Sequence, residues 1–316
     1  MSCIEQRRGS VVESVHPYSA FGVDAQGRVV FATGPDLATT WRSASKPFQL
    51  ETSLEAAFDP AVAPEDLAIG AASHSAEVPH VARVEALLAR FCLTAEHLRC
   101  GAHPPVHEPS ATAILRAGGH FSAVHNNCSG KHTFMLAACA ARGWGLEYRP
   151  PTHPLQVRNR RRLEVLCGGE AVLATDGCGV PTFGFPISGL ARAWAALAHA
   201  MADENVNQRL HAIGWAMARH PELTSGTGRL DLQVVRGAAE PLAVKIGAQG
   251  VFCMALPTRR LGLAVKVHSG VGEALPAAVA ATLAAAAPGA FVAPADWELL
   301  RVRNVVGDAV GEYRAV

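Results

Sequence analysis

Residues 41–58 read WRSASKPFQLETSLEAAF. Proline is tolerated in the first turn of a helix, where its missing N–H has no partner to lose. Pro47 therefore predicts a helix that starts within residues 43 to 46. Ser43 and Lys46 then lie three residues apart on one helical face. A serine hydroxyl is a poor nucleophile without a base, and a neutral lysine can be that base. Moving a lysine pKa from about 10.4 to about 7 costs roughly 4–5 kcal/mol. Burial, a neighbouring cation and the positive end of a helix all push that way. One local conflict is present: Lys46 precedes a proline, a position that disfavours the α region.

Lysine is scarce in this chain. Of 28 Lys plus Arg residues only four are lysine: Lys46, Lys131, Lys245 and Lys266. Arginine replaces lysine on a solvated surface at little cost but never gives up its proton. The surviving lysines are thus enriched for sites that need a neutral amine or a compact head. Three of them stand in RSASK, CSGK and VKIGAQG.

Composition bounds the rest. The chain has 316 residues, 49% hydrophobic and 17% charged, enough for a full interior in one large domain. A formal net charge of +1 gives no electrostatic case for nucleic acid or acidic membrane. The basic run VRNRRRLEVL (157–166) fits an amphipathic helix with a solvated arginine face. MSCIEQRRGS carries no apolar leader, and the alanine-rich 274–295 is broken by prolines, so a cytoplasmic protein is expected. Eight cysteines there are not a disulfide framework. Cys92, Cys139 and Cys253 lie in apolar runs and read as small core residues.

Along the chain, residues 10–34 show two strands around a turn at Asp24-Ala25-Gln26-Gly27. DLAIGAASHS (66–75) reads as the end of a strand entering a polar loop. HVARVEALLARFCL and SATAILRAG read as helices, and GKHTFMLAACAARGW (130–144) as a helix closed by Gly143. Residues 170–201 read as strand, glycine-rich loop and helix. PLAVKIGAQGVFCMALP (241–257) is a hairpin turning near Ala248-Gln249-Gly250, followed by a strand over 259–270 and a helix in PAAVAATLAAAA. Strands at both ends with helices between predict a sheet built from both termini and a helical subdomain inserted in the middle. The expected division is a single catalytic domain, 1–316, with subdomains 1–40 plus 230–316 and 41–229.

Other motifs add to Ser43 and Lys46. Ser73-His74-Ser75 follows the apolar run, and Lys245-Ile246-Gly247 lies on a late strand. Serine β-lactamases and penicillin-binding enzymes place S-x-x-K first, a serine-containing loop next, and K-T-G on a late strand. The order here is similar, but the threonine of K-T-G and the S-D-N motif are absent, which disfavours a strict β-lactamase. Cys128 in HNNCSGKHTFML (125–136) and Cys178 in TDGCGVPTF (175–183) sit in polar, glycine-containing loops, unlike the core cysteines. They are either two ordinary thiols or two soft zinc ligands, with a neutral Lys131 as a third and the fourth position open. Asp176 and His132 would then support the ligands.

RSASKPFQ, AASHSAE, HNNCSGKHTFML, TDGCGVPTF, ARHPELTSG, KIGAQGVF and VRNVVGDAVGE, in that order over roughly residues 10–312, resemble the rhizobial-type (class 3, Rhizobium etli type) L-asparaginases. The resemblance implies an α/β fold like that of serine β-lactamases and glutaminases, with an antiparallel sheet from both chain ends. It implies a homodimer and hydrolysis of L-asparagine to L-aspartate and ammonia through a serine-bound acyl intermediate. By position it pairs Ser43 with Lys46 and Ser75 with Lys245, and makes Cys128, Lys131 and Cys178 zinc ligands. Zinc in such enzymes aids substrate binding more than bond cleavage. Arg42, His132 and Asp176 are candidates for positioning the substrate's charged α-groups or the zinc water. Two other readings remain: a β-lactamase-like serine esterase or peptidase, and a non-catalytic zinc-binding protein. The second leaves both serine–lysine pairs unexplained.

Overall fold

Period-2 alternation at the two ends of the chain builds one sheet. The computed structural model of the protein describes residues 2–57 and 62–316. Its strands are β1 Cys3–Arg8, β2 Val11–Val23, β3 Val29–Thr33, β4 Ala38–Thr40, β5 Val172–Thr175, β6 Pro181–Pro186, β7 Ala243–Gly247, β8 Val251–Leu256, β9 Leu261–Val267, β10 Arg301–Arg303 and β11 Ala309–Ala315. The helices are α1 Lys46–Ala57, α2 Pro64–Gly70, α3 Val78–Arg90, α4 Glu108–Arg116, α5 Ser129–Arg142, α6 Pro154–Cys167, α7 Ile187–Ala202, α8 Gln208–Arg219, α9 Pro221–Thr224, α10 Leu230–Gly237 and α11 Leu275–Ala286. The main sheet runs β10-β11-β1-β2-β9-β8-β7, with β3 also on β2, and its pairs are antiparallel. Helices α1 to α10 fall between its N-terminal and C-terminal strands, as the sequence pattern predicts.

Both faces of the sheet are buried. Val251, Cys253 and Ala255 of β8 join a core with α7 and the helices beyond it. Phe252, Met254 and Leu256 point the other way, into a core closed by α11. Helix α7 lies directly on β9. A Cβ on Gly262 would stand 2.0 Å from the Ala195 nitrogen and 2.3 Å from the Ala191 carbonyl oxygen, so only glycine permits this approach. Between the helices, Arg162 of α6 grips Glu51 of α1 with two bonds of 2.8 Å. Asn207, the N-cap of α8, donates to the same carboxylate.

Three sequence expectations are corrected. Residues 66–70 are not strand but the body of α2, with Pro64 in its first turn and Glu65 and Asp66 beside it. A short apolar run has no period that separates a buried strand from a buried helix. The loop expected after β5 contains β6, which with β4 and β5 makes a small second sheet. Cys92 is exposed, in a left-handed turn (φ +57°) just past α3, whereas Cys139 and Cys253 are buried as expected. The helix from Pro47 is present, beginning at Lys46 after a 3-10 turn over Arg42–Ser45. Lys46 is α-helical (φ −57°, ψ −38°) despite the proline after it. The Phe58 end of that prediction lies outside the described residues. Gly143 closes α5 in the left-handed region.

Gly262→Ala is expected to lower unfolding stability by about 3 kcal/mol or more, since backbone cannot yield as a side chain does. Urea denaturation against wild type measures it.

Candidate active site

The 3-10 turn before α1 sets the first pair. Side chains three residues apart eclipse in 3-10 geometry, and the Lys46 N–H bonds the Ser43 carbonyl. Ser43 is half-buried and Lys46 fully buried. The two side chains share a face but are not hydrogen-bonded to each other. Lys46 Nζ donates to Ala72 O at 2.5 Å, Ser73 Oγ at 2.9 Å and Asn127 O at 3.4 Å. Burial chiefly lowers its pKa, and nearby Lys131 lowers it further, against the pull of Cys128 and Cys178. Ser73, part of the quoted Ser-His-Ser motif, is thus Lys46's serine partner here, a contact the spacing did not reveal.

Backbone strain marks both serines. Arg42, just before Ser43, has φ +50°, and Ala76, just after Ser75, has φ +56°. Such a conformation costs a non-glycine residue about 1–2 kcal/mol and persists only where the surroundings impose it. Arg42 is tied down by Asp176 at 2.5 Å and by Thr182, whose hydroxyl accepts the Arg42 N–H. Ser75 is held from the other side by the segment after α9: its N–H and its hydroxyl both bond the Ser225 carbonyl, at 2.9 and 3.2 Å. The Thr227 N–H and hydroxyl bond Glu77 at 2.8 and 2.9 Å. Lys245, wholly buried on β7, donates to Ile246 O at 3.0 Å and makes no hydrogen bond to Ser75. Burial lowers its pKa to about 7, with Asp231 opposing and Lys46 reinforcing the shift.

The hairpin of β5 and β6 brings the loop cysteine to α5. Cys128 caps α5, and Lys131 follows one turn later. Lys131 Nζ is 3.2 Å from Cys178 Sγ. The Cys178 thiol is drawn down to about 5, first by its hydrogen bond with Cys128 and then by Lys131. Cys128 is pushed up to about 12 by the same bond and by burial. Burial works against charge on Lys131, but Cys178, Cys128 and Asp176 outweigh it and raise its pKa. Asp176 stays below the usual carboxylate range: Lys131 and Arg42 overcome its burial. His132, also buried, bonds the Tyr148 hydroxyl at 2.7 Å through Nδ1, while its Nε2 has no partner among the described residues. Burial and then Lys131 keep it neutral.

Two thiols and an amine converging this way fit a zinc ion. Around tetrahedral zinc the N and S ligands would stand about 3.5 Å apart, given bonds of about 2.0 and 2.3 Å, against 3.2 Å between Lys131 Nζ and Cys178 Sγ. Among the described residues no group of three or more His, Cys, Asp or Glu side chains is placed to hold a metal ion, so a site here depends on the amine of Lys131.

A sequence family described as L-asparaginase II matches residues 4–315. The chain belongs to the L-asparaginase II family. No curated protein matches it in sequence. Among solved structures, it is similar to Mglu in its native form (14% identity, TM-score 0.46), over 85% of this chain and 60% of that one. The chain thus spans about 60% of the length of that structure. It is also similar to a mutant simvastatin synthase from Aspergillus terreus (11%, TM-score 0.39, 79% and 86% covered). A third is a Bacillus subtilis glutaminase in covalent complex with 5-oxo-L-norleucine (12%, TM-score 0.35, 83% and 84% covered).

The sequence did not single out Tyr148, which orients His132, or the task of residues 224–227, which clamp the Ser75 loop. The ARHPELTSG block contained the signal: Gly226 has φ +140°, and a Cβ there would stand 2.3 Å from Ser75 Oγ. Gly226→Ala is expected to displace that hydroxyl and cut turnover of L-asparagine about 100-fold, and to lower the unfolding midpoint as well, because φ +140° strains any side chain. Steady-state kinetics beside thermal melting measure both.

Proposed function

We propose that this protein is an L-asparagine amidohydrolase, acting through a serine-bound acyl intermediate. Membership of the L-asparaginase II family over nearly the whole chain carries the reaction. The complete burial of Lys46 and Lys245, which favours a neutral amine, supports the route. Neutral Lys46 takes the Ser43 proton as Ser43 Oγ attacks the side-chain carboxamide carbon. Lys46 leaves Ser73 for Ser43 as substrate binds, since catalytic contacts often tighten only in the complex. Lys245, neutral at rest, accepts the proton that Lys46 took and with Ser75 passes it to the departing nitrogen, which leaves as ammonia when the C–N bond breaks. Water then cleaves the β-aspartyl ester, restoring the Ser43 hydroxyl and releasing L-aspartate. Backbone N–H groups near Ser43 stabilise the oxyanion. Arg42, Asp176 and His132 hold the charged α-groups of the substrate.

Cys128, Lys131 and Cys178 would hold zinc, whose chemistry when bound is Lewis-acid attraction for a substrate oxygen. Its contribution is assigned to binding, because the serine–lysine groups account for every proton moved. The protein is taken as one catalytic domain, 1–316, with the two subdomains outlined above, working as a cytoplasmic homodimer. No helix among the described residues is long and apolar enough to cross a membrane.

Ammonia release from L-asparagine, with L-glutamine beside it, tests the reaction. Release from asparagine is expected; none from either amide would leave another serine acyl transfer, such as an esterase or peptidase. Ser43→Ala should lose at least about 1,000-fold in turnover while keeping the far-ultraviolet spectrum; wild-type activity in that variant would sink the route. Elemental analysis should find zinc in the purified protein and none in Cys178→Ser. Chelation is expected to raise KM far more than it lowers kcat.

The pH dependence follows from Lys245. Its amine carries a proton below about 7 and a free lone pair above it. As a proton acceptor it therefore gives kcat/KM an acid limb near that pH, with activity rising as pH rises. Lys245→Met should remove that limb along with most of the activity.

A further inference from the structure

Segment 224–231 joins the two members of the second serine–lysine pair. At one end the Ser225 carbonyl takes the Ser75 hydroxyl. At the other, Asp231 in the first turn of α10 turns its buried carboxylate onto β7. Its Oδ1 accepts the Ile246 N–H at 2.8 Å. β7 is the last strand of the main sheet, so this bond also occupies a donor on an otherwise open edge. The same oxygen stands 3.8 Å from Lys245 Nζ, both side chains being almost completely shut off from solvent. Asp231 Oδ2 is buried and has no hydrogen-bond partner among the described residues. Among the described residues Lys245 in turn spends one donor, on the carbonyl of its own neighbour. A carboxylate with a spare oxygen thus faces an amine with unspent valences. An edge N–H alone would be served as well by an uncharged acceptor, without the cost of burying a charge.

We propose that Asp231 is a positioning residue for the hydrolysis: anchored by the Ile246 N–H, it holds the Lys245 amine in the site and supplies the negative charge that receives it when protonated. This rests on the reading of Lys245 as a proton acceptor given above. Among the described residues, the charged and titratable groups that act on Lys245 include Asp231 of α10, Arg229 just before it, Lys46 of α1, Cys128 at the cap of α5, and Cys253 opposite on β8. Burial, Lys46 and Arg229 favour the neutral amine; Asp231 is the strongest influence the other way. Without it the amine would be neutral over a wider pH range but poorly placed, trading turnover for a displaced limb.

The test is the pH profile of kcat/KM for L-asparagine in wild type, Asp231→Asn and Lys245→Met, with a thermal midpoint for each. Asparagine at 231 keeps an acceptor for the Ile246 N–H and removes only the charge. The acid limb is expected to move to lower pH by about one unit, with a reduced plateau. An unmoved limb, or a uniform loss of activity at every pH, assigns Asp231 a structural task only and overturns the proposal. If Asp231→Asn does not fold, Asp231→Ser, also uncharged and able to accept from Ile246, gives the same reading. A Lys245→Met enzyme that keeps the wild-type limb would instead remove the base assignment itself. Loss of the limb in Lys245→Met with an unmoved limb in Asp231→Asn removes only the role of Asp231.

Discussion

Three lysine amines buried close enough to feel one another constrain everything else in this site. Lys46, Lys131 and Lys245 are each no more than 3% exposed. Like charges in a poorly hydrated interior raise one another's energy, so all three cannot remain cationic without nearby anions. The fold distributes the difficulty unequally. Lys131 has Cys178, Cys128 and Asp176 beside it, which favour its proton against burial, so zinc would take its amine only by displacing that proton. Lys46 is surrounded by two carbonyls and a hydroxyl, which tolerate either form. Lys245 meets one carboxylate at a distance too long for a hydrogen bond, and its proton is the easiest to lose. One residue type thus occupies three electrostatic environments, and the asymmetry among the anions decides which amine is free.

Much of this was legible because lysine is so rare in the chain. Its scarcity picked out Lys46, Lys131 and Lys245 before any contact was known. The fourth, Lys266, proves to cap the β7–β8 turn through the Gln249 carbonyl, an ordinary use of a long cation. Elements with clear punctuation, such as the Pro47 helix, the Gly143 stop and the turn at Gln249 and Gly250, were also readable. Spacing could not say that Lys46 would reach Ser73, because that contact depends on where α2 ends. The apolar run in α2 has no periodic signature, and its misreading as strand hid the neighbour of the most informative lysine. Asp231 was invisible for a similar reason: its partner is fifteen residues away, across a turn and a strand edge, and no pattern in sequence ties them.

The strained backbone before Ser43 and after Ser75 shows how the two pairs are held. Neither Arg42 nor Ala76 adopts its left-handed conformation for local reasons. Arg42 is pinned by the hairpin that carries Cys178, and the Ser75 loop by the segment that carries Asp231. Each serine is therefore placed by the element that also delivers a charged partner. Geometry and electrostatics at this site are supplied together.

The sheet has a consequence for how the protein is made. Ser19 on β2 bonds His268, just past β9, across 249 residues of sequence. β1 pairs with β11, the last strand of the chain. During synthesis the first two strands leave the ribosome long before these partners exist, while the helices from α1 to α8 can begin to pack. Pairings of such long range are slow to form and leave strand edges open meanwhile. The platform that presents Lys245 thus assembles last, so a nascent chain can bury Lys46 and Lys131 before it has any means of completing the second pair.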